Sequence, residues 1–433
     1  MGFLHWVMIN SLPFLAVLTL VVTVHELGHF LVARWLGVSV DRFAIGFGRP
    51  LFSRVDKNGI EWRFGWIPLG GYVRFSGDTE ASSSVPDAET LEAMKQAIRE
   101  RRAQARSSLS RTGGSAVATD AAVEAQLRRE GALPEEAYFH FKPVWVRALV
   151  VVAGPVANFV LAIALFTLLL AWLGEIVVAP RIGAVDPGSP AARAGLHAGD
   201  LITSMDGREV ENFSDLTQYV ALRANQPIVF QLQRGGQPIQ ITATPERRAS
   251  TEPNAGGAKL GRLGLTSSGD RADFKRVRHP LPQAFAGAIK RTWSILDTTV
   301  FYIGRIVTGQ ESGDQLGGPL RIASVSGQAA QAGAEGATDL GHKLLGASVA
   351  LLSLAAVLSV GIGFMNLLPV PVLDGGHLLF YAYEALARRP LGARVQAAGY
   401  RVGLALLLAL MLFATWNDLQ QLSVFKFFGR LFS

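Results

Sequence analysis

The sequence predicts a polytopic α-helical membrane protein with about four transmembrane helices, a membrane-dipping β-hairpin loop and an extracytoplasmic β-rich domain. Three observations predict it. Four apolar runs are long enough to cross a bilayer; two strand-like runs flank an Asn-Gly pair in the first loop; and a long segment between the second and third apolar runs alternates apolar and polar residues. Composition agrees, since 49% of the 433 residues are apolar and mean hydropathy is +0.28. Bilayer-spanning runs explain that excess better than an unusually large core.

The first span covers 1–36, with its apolar run from Ser11 to Trp35. This run lacks a basic leader and a small-residue cleavage site, so it reads as a retained helix. The second span covers 145–174, the third 343–380 and the fourth 395–418, with a C-terminal tail over 419–433. Arg34, Arg42, Arg49 and Arg54 follow the first span, and Arg147 precedes the second. Arg388, Arg389, Arg394 and Arg401 lie between the third and fourth. Positive charge retained inside puts these loops on the cytoplasmic face and both termini outside. The net charge of +7 suits contact with anionic membrane lipid. No basic patch with interleaved aromatics appears, so nucleic acid is not an expected partner. Nothing in the sequence sets an oligomeric state.

The first cytoplasmic loop opens with a β-loop over 42–78. Pro50 to Asp56 and Ile60 to Trp66 flank Lys57-Asn58-Gly59, a tight-turn signal, and Gly70, Gly71, Tyr72 and Phe75 follow. So apolar a hairpin between two spans is expected to dip into the membrane face. Residues 79–137 turn rich in Ala, Ser, Glu and Arg and read as a flexible cytoplasmic insertion, with helices expected over Ala88 to Ala105 and Thr119 to Arg129. Beyond the second span, 177–245 forms the small β-rich domain, punctuated by Asp186-Pro187-Gly188 and Asp206-Gly207. A linker is expected over 246–281. Residues 282–342 read as an amphipathic region, apolar at Trp293, Leu296, Phe301 and Ile303, but too polar at Lys290, Arg291, Asp297 and Arg305 to span. It is expected to lie along the outer membrane surface.

The chain has no cysteine, so any metal must be held by His, Asp or Glu. Within the first span stands His25-Glu26-Leu27-Gly28-His29. On a helix, positions i and i+4 share a face, so both imidazoles can reach one ion, with Glu26 beside them to take a proton from attacking water. Ionisable groups within a span cost about 2.5–3.5 kcal/mol each. Zinc binding returns on the order of 10 kcal/mol, enough to offset several of them. A catalytic site wants a third protein ligand. The candidate is Asp374, in the run Asn366-Leu367-Leu368-Pro369-Val370-Pro371-Val372-Leu373-Asp374-Gly375-Gly376-His377. On the deduced topology both spans run inward, which brings His25, His29 and Asp374 to one depth near the cytoplasmic face. Gly375 and Gly376 are expected to permit a sharp backbone path. Pro369 and Pro371 cannot continue a helix, so extended backbone is expected there, open to a substrate strand by β-addition. Asn366 either donates to a substrate carbonyl or caps the broken helix. His377 is either a ligand or a packing histidine.

Three motifs in this order resemble the site-2 proteases, and most closely the bacterial regulator-of-sigma-E protease branch. They are the His25–His29 pentapeptide, Gly154-Pro155-Val156-Ala157-Asn158-Phe159, and the Asn366–Gly375 run. The resemblance implies Zn²⁺ on His25, His29 and Asp374, Glu26 as general base, Asn366 and Pro369 as substrate-holding residues, and Gly70-Gly71 at the edge of the substrate strand. It implies an intramembrane zinc metalloendopeptidase in the bacterial inner membrane that cuts single-span proteins after prior trimming, such as anti-sigma factors or remnant signal peptides. The run Gly188 to Leu196 followed by Gly199-Asp200-Leu201-Ile202 is similar to a bacterial PDZ domain. That domain is expected on the periplasmic side, where it either binds a newly exposed C-terminus or excludes bulky substrates.

Overall fold

The computed structural model describes residues 3–77, 88–112, 123, 134–249, 259–309, 317–337 and 339–421. The described residues divide into two compact units, one drawn from Met1–Ile163 and Ser326–Leu412, the other from Ala164–Val325 and Phe413–Ser433.

In the first unit, the leading apolar run forms α1 (Phe3–Trp35). It ends where Gly37 takes a left-handed φ of 70° and Val38 N–H bonds the Ala33 carbonyl, a glycine-terminated helix end. Next come β1 (Val40–Val55) and β2 (Glu61–Phe75), then α2 (Ala88–Thr112). The expected turn is present: Asp56 Oδ1 accepts from the backbone N–H groups of Asn58 (2.8 Å) and Ile60 (3.0 Å). The strands run longer than the sequence pattern indicated, and each is folded on itself. Residues 42–45 pair with 71–74 on one side and with 61–64 on the other, while 50–55 pair with 61–65. Gly46 (φ 79°), Gly48 (φ 87°) and Gly70 (φ 92°) make the bends. A Cβ on Gly46 would lie 2.6 Å from the Ile67 carbonyl oxygen, so only glycine fits. Residues 71–75 thereby form an outer strand, paired on one side among the described residues. Of the expected insertion helices, α2 matches the first, and Thr119 to Arg129 lies outside the described residues except for Val123.

The remaining spans are α3 (Val144–Trp172), α8 (Leu340–Leu367) and α10 (Ala393–Gln421), so four described helices are long and apolar enough to cross a membrane. Small residues let them approach closely, as in other membrane helix pairs. A Cβ on Gly28 of α1 would meet the Ala153 carbonyl oxygen of α3 at 2.4 Å, and one on Gly363 of α8 would lie 3.1 Å from the Pro155 carbonyl oxygen. The expected third span over 343–380 is not one helix. α8 stops at Leu367, and a separate helix, α9 (Asp374–Ala387), begins at the candidate ligand.

The second unit holds the β-rich domain. Its strands are β3 (Glu175–Val178), β4 (Ile182–Val185), β5 (Leu201–Met205), β6 (Arg208–Glu209), β7 (Ile228–Arg234), β8 (Gln237–Ala243), β9 (Glu246–Ala249), β10 (Lys259–Arg262), β11 (Leu265–Ser267) and β12 (Phe274–Val277). The helices are α4 (Pro190–Ala194), capped by Ser189, and α5 (Phe213–Ala221), capped by Asn212. An antiparallel sheet runs β6-β5-β7-β8. Its inward residues Ile202, Ile228, Phe230 and Leu232 join Leu196 and Leu216 in a fully buried core. The stretch 246–281, expected to be a linker, is instead part of the β-rich domain. It supplies β9 to β12, with β11 pairing to β4 and β12 to β3. These strands are short and charged, so no two-residue period announced them. The amphipathic region resolves into α6 (Leu281–Val307) and α7 (Pro319–Ala334). Along α6, Ala284, Ala288 and Thr292 are buried, whereas Leu281, Phe285, Ile289 and Trp293 stand exposed. Asp418 accepts from the Gly318 (3.0 Å) and Arg321 (2.9 Å) backbone N–H groups, so it caps α7.

Candidate metal centre

On α1 the His25 and His29 rings lie one turn apart and edge to face, with their Nε2 atoms 3.2 Å from each other. Asp374, the first residue of α9, reaches both: its Oδ2 lies 3.2 Å from His25 Nε2 and 3.5 Å from His29 Nε2. Two imidazole nitrogens and a carboxylate oxygen, each offering a lone pair, close a triangle. Zinc–nitrogen bonds of about 2.0–2.1 Å in a tetrahedron set ligand atoms about 3.3–3.4 Å apart, so the triangle has the dimensions a zinc ion needs. Asp374 Oδ2 is buried and receives no well-formed hydrogen bond among the described residues, as suits a ligand atom. His29 Nδ1–H donates to the Val150 carbonyl (2.9 Å), which leaves its Nε2 free to ligate. These three residues therefore fit a zinc ion.

Residues 13–410 match the profile of peptidase family M50, the site-2 proteases. The chain is an M50 peptidase. It is 46% identical over 433 residues to the metalloprotease MmpA of Caulobacter vibrioides, covering 100% of both chains. It is 38% identical to a putative zinc metalloprotease of Agrobacterium fabrum, covering 95% of each chain. The matching figures for a putative zinc metalloprotease of Mesorhizobium japonicum are 39% identity over 94% of this chain and 97% of that one. Among solved structures, the PDZ domain of an SdrC-like protein from Listeria monocytogenes is similar at 24% identity. That match covers 20% of this chain and 84% of that one, with a TM-score of 0.17, too low to argue from. This M50 peptidase is thus a membrane zinc metalloprotease.

In this M50 peptidase a cavity of about 500 Å³ opens onto His25, His29 and Asp374, and Glu26, Gly70, Gly71, Asn366 and His377 also line it. The backbone N–H of Val73, in the outer strand of the β-loop, donates to the Glu26 carboxylate. Pro369 does not line the cavity. The reason lies in the path after α8. Leu373 N–H bonds the Val370 carbonyl (3.0 Å), closing a turn with Pro371 and Val372 at its corners. Val372 sits at φ 97°, where a type II turn normally has glycine. The turn presents Val372 and Leu373 to the cavity in place of Pro369. The sharp path expected of Gly375 and Gly376 is therefore taken by Val372. Those glycines lie inside the first turn of α9 and serve close approach instead: a Cβ on Gly375 would be 2.2 Å from the Leu368 carbonyl oxygen, and one on Gly376 2.5 Å from that of Val370. His377 stands outside the three-residue ligand cluster, its ring 3.3 Å from the Tyr400 hydroxyl of α10.

Sequence reasoning named no role for Gly154, Asn158 or Val372, yet all three touch or shape this site. Gly154 and Asn158 lay in a motif that carried only a resemblance, because helix packing and not local pattern brings them to the imidazoles.

Proposed function

We propose that this M50 peptidase hydrolyses peptide bonds within the transmembrane segments of single-span proteins, after another protease has trimmed their outer part. His25, His29 and Asp374 hold the zinc. When bound, zinc polarises a carbonyl and acidifies water, which supplies the electrophilic part of hydrolysis. Glu26 takes the proton of the attacking water and delivers it to the leaving amide nitrogen. The observation that carries this reading is the closure of the ligand triangle on a cavity walled by the outer strand 71–75.

A helical span hides its peptide bonds, so a substrate must be extended before water can attack. The edge of 71–75 pairs with no second strand among the described residues, so it can take such a strand through the main-chain groups that Glu26 does not hold. Gly70 and Gly71 let neighbouring side chains close on that edge: a Cβ on Gly70 would lie 2.7 Å from the Phe47 ring, and one on Gly71 3.0 Å from Glu26 Cγ. Asn366, in the cavity wall, holds a substrate carbonyl, and Pro369 contributes indirectly by ending α8. The basic loops support a site near the cytoplasmic face of an inner membrane. The motif likeness of 188–202 supports a PDZ domain on the periplasmic side, and the exposed apolar row of α6 supports contact with the outer lipid surface.

The test uses detergent-purified protein and a model single-span substrate, with fragments identified by mass spectrometry. Cuts inside the span are expected from the unaltered protein and none from Glu26→Gln, which retains zinc. Cuts confined to residues outside the span would defeat the intramembrane reading, and full cleavage by Glu26→Gln would remove the assigned base.

A further inference from the structure

Asn158 is fully buried in the middle of α3. Its side-chain nitrogen lies 3.3 Å from Nδ1 of His25. Its side-chain oxygen, also buried, has no hydrogen-bond partner among the described residues. The residue is held firmly in place. Ser359 Oγ–H of α8 donates to its backbone carbonyl (2.8 Å), and a Cβ on Gly363 would stand 3.2 Å from its own Cβ.

His25 faces the other two ligand atoms through Nε2. A ligating nitrogen must offer its lone pair, so the ring proton belongs on Nδ1, and that N–H needs an acceptor. The oxygen and nitrogen of an amide occupy nearly the same outline, so a half-turn about the Cβ–Cγ bond exchanges them without disturbing the packing. One rotation then pairs the oxygen with the His25 Nδ1–H. His29 is served in the same way by the Val150 carbonyl.

We infer that Asn158 is a positioning residue of the zinc site, accepting the Nδ1–H of His25 and so setting the tautomer and ring angle of that ligand. The inference rests on reading His25 as a ligand. It assigns to the second span a polar role in holding metal, in addition to helix packing.

The test measures the zinc dissociation constant of the full-length protein in detergent by chelator competition. Losing such a partner weakens metal binding about 10–100-fold, which is the loss expected for Asn158→Leu. Asn158→Asp keeps an acceptor oxygen in place and is expected to bind within about threefold of the unaltered protein. Should Asn158→Leu fail to fold, as judged by gel filtration and thermal unfolding, Asn158→Ala replaces it with the same expectation. Zinc binding unchanged by removal of the side chain, or Asn158→Asp as weak as Asn158→Leu, overturns the inference while leaving the ligand assignment standing. If His25→Ala binds zinc as well as the unaltered protein, the ligand assignment falls and this inference with it.

Discussion

Gly154 of the second span lies so close to His29 of the first that a Cβ at 154 would sit 2.3 Å from the His29 Nε2. The same added carbon would be 2.8 Å from His25 Cε1. Neither ring can swing aside freely, because His29 Nδ1–H is held by the Val150 carbonyl and His25 Nδ1 lies 3.3 Å from the buried Asn158 amide. Gly154→Ala is therefore expected to leave a folded protein that has lost at least about tenfold in zinc affinity, by the same reasoning that ligand displacement weakens metal sites. Chelator competition and proteolysis of a single-span substrate measure the two effects. Unchanged zinc binding would show that the imidazoles sit elsewhere.

Val372 carries strain that glycine would not. A β-branched residue at positive φ costs about 1–3 kcal/mol, while a glycine in its place costs the unfolded chain's extra freedom, about 0.5–1 kcal/mol. Val372→Gly is expected to raise stability by roughly 1 kcal/mol, read as a higher thermal midpoint. A clear fall in the midpoint would mean that the side chain's contacts in the cavity wall outweigh the strain.

Arg147 of α3, which is buried, and Glu384 of α9, which is partly exposed, form an ion pair at 2.6 Å, with the guanidinium 4.9 Å from the Tyr381 ring centroid. α9 begins at Asp374, so this pair anchors the helix that presents the proposed third ligand. Removing Glu384 leaves the buried Arg147 charge without its carboxylate. Glu384→Ala is expected to lose about 3–5 kcal/mol of stability. Heating the detergent-solubilised protein and following loss of soluble material measures it.

The β-rich domain has its own pH signature. Asp200 is almost fully buried. It accepts two hydrogen bonds from Arg234, both 2.8 Å, and one from the His197 backbone N–H at 2.9 Å. Burial alone would raise its carboxyl pKa, but the guanidinium and the amide outweigh it, so the value lies below the ordinary 3.8. A lowered folded-state pKa gives stability that is present above the unfolded value and lost as pH falls towards the folded one. Asp200→Asn is expected to lower the unfolding temperature of this domain at pH 7 by roughly 5 °C. The gap should narrow as pH drops below 3.8. A gap that stays constant with pH would remove the charge from the explanation.

Much of this architecture was legible because membrane physics writes in long runs. The spans announced themselves by length, and Asn58-Gly59 marked its turn by backbone need. His25, His29 and Asp374 stood out because ionisable groups are costly at membrane depth. What stayed hidden depends on partners remote in the chain. The double pairing of 42–45 requires bends at Gly46 and Gly70 whose partners no local pattern names. Strands β9 to β12 are each four residues or fewer, and only their pairing reveals them. Gly375 and Gly376 were visible as glycines, but the surface they approach was not, so their role was misread as a bend. Asn158 belonged to a motif that carried only a resemblance, because its polar neighbour, the His25 ring, lies on another helix.

The ligand set is tested most directly by the zinc content of purified wild-type protein and Asp374→Ala, after dialysis against a weak chelator. About one zinc per chain is expected for the wild type and almost none for Asp374→Ala, as for loss of one of three protein ligands. Asp374→Ala retaining a full zinc equivalent at wild-type affinity would contradict the account.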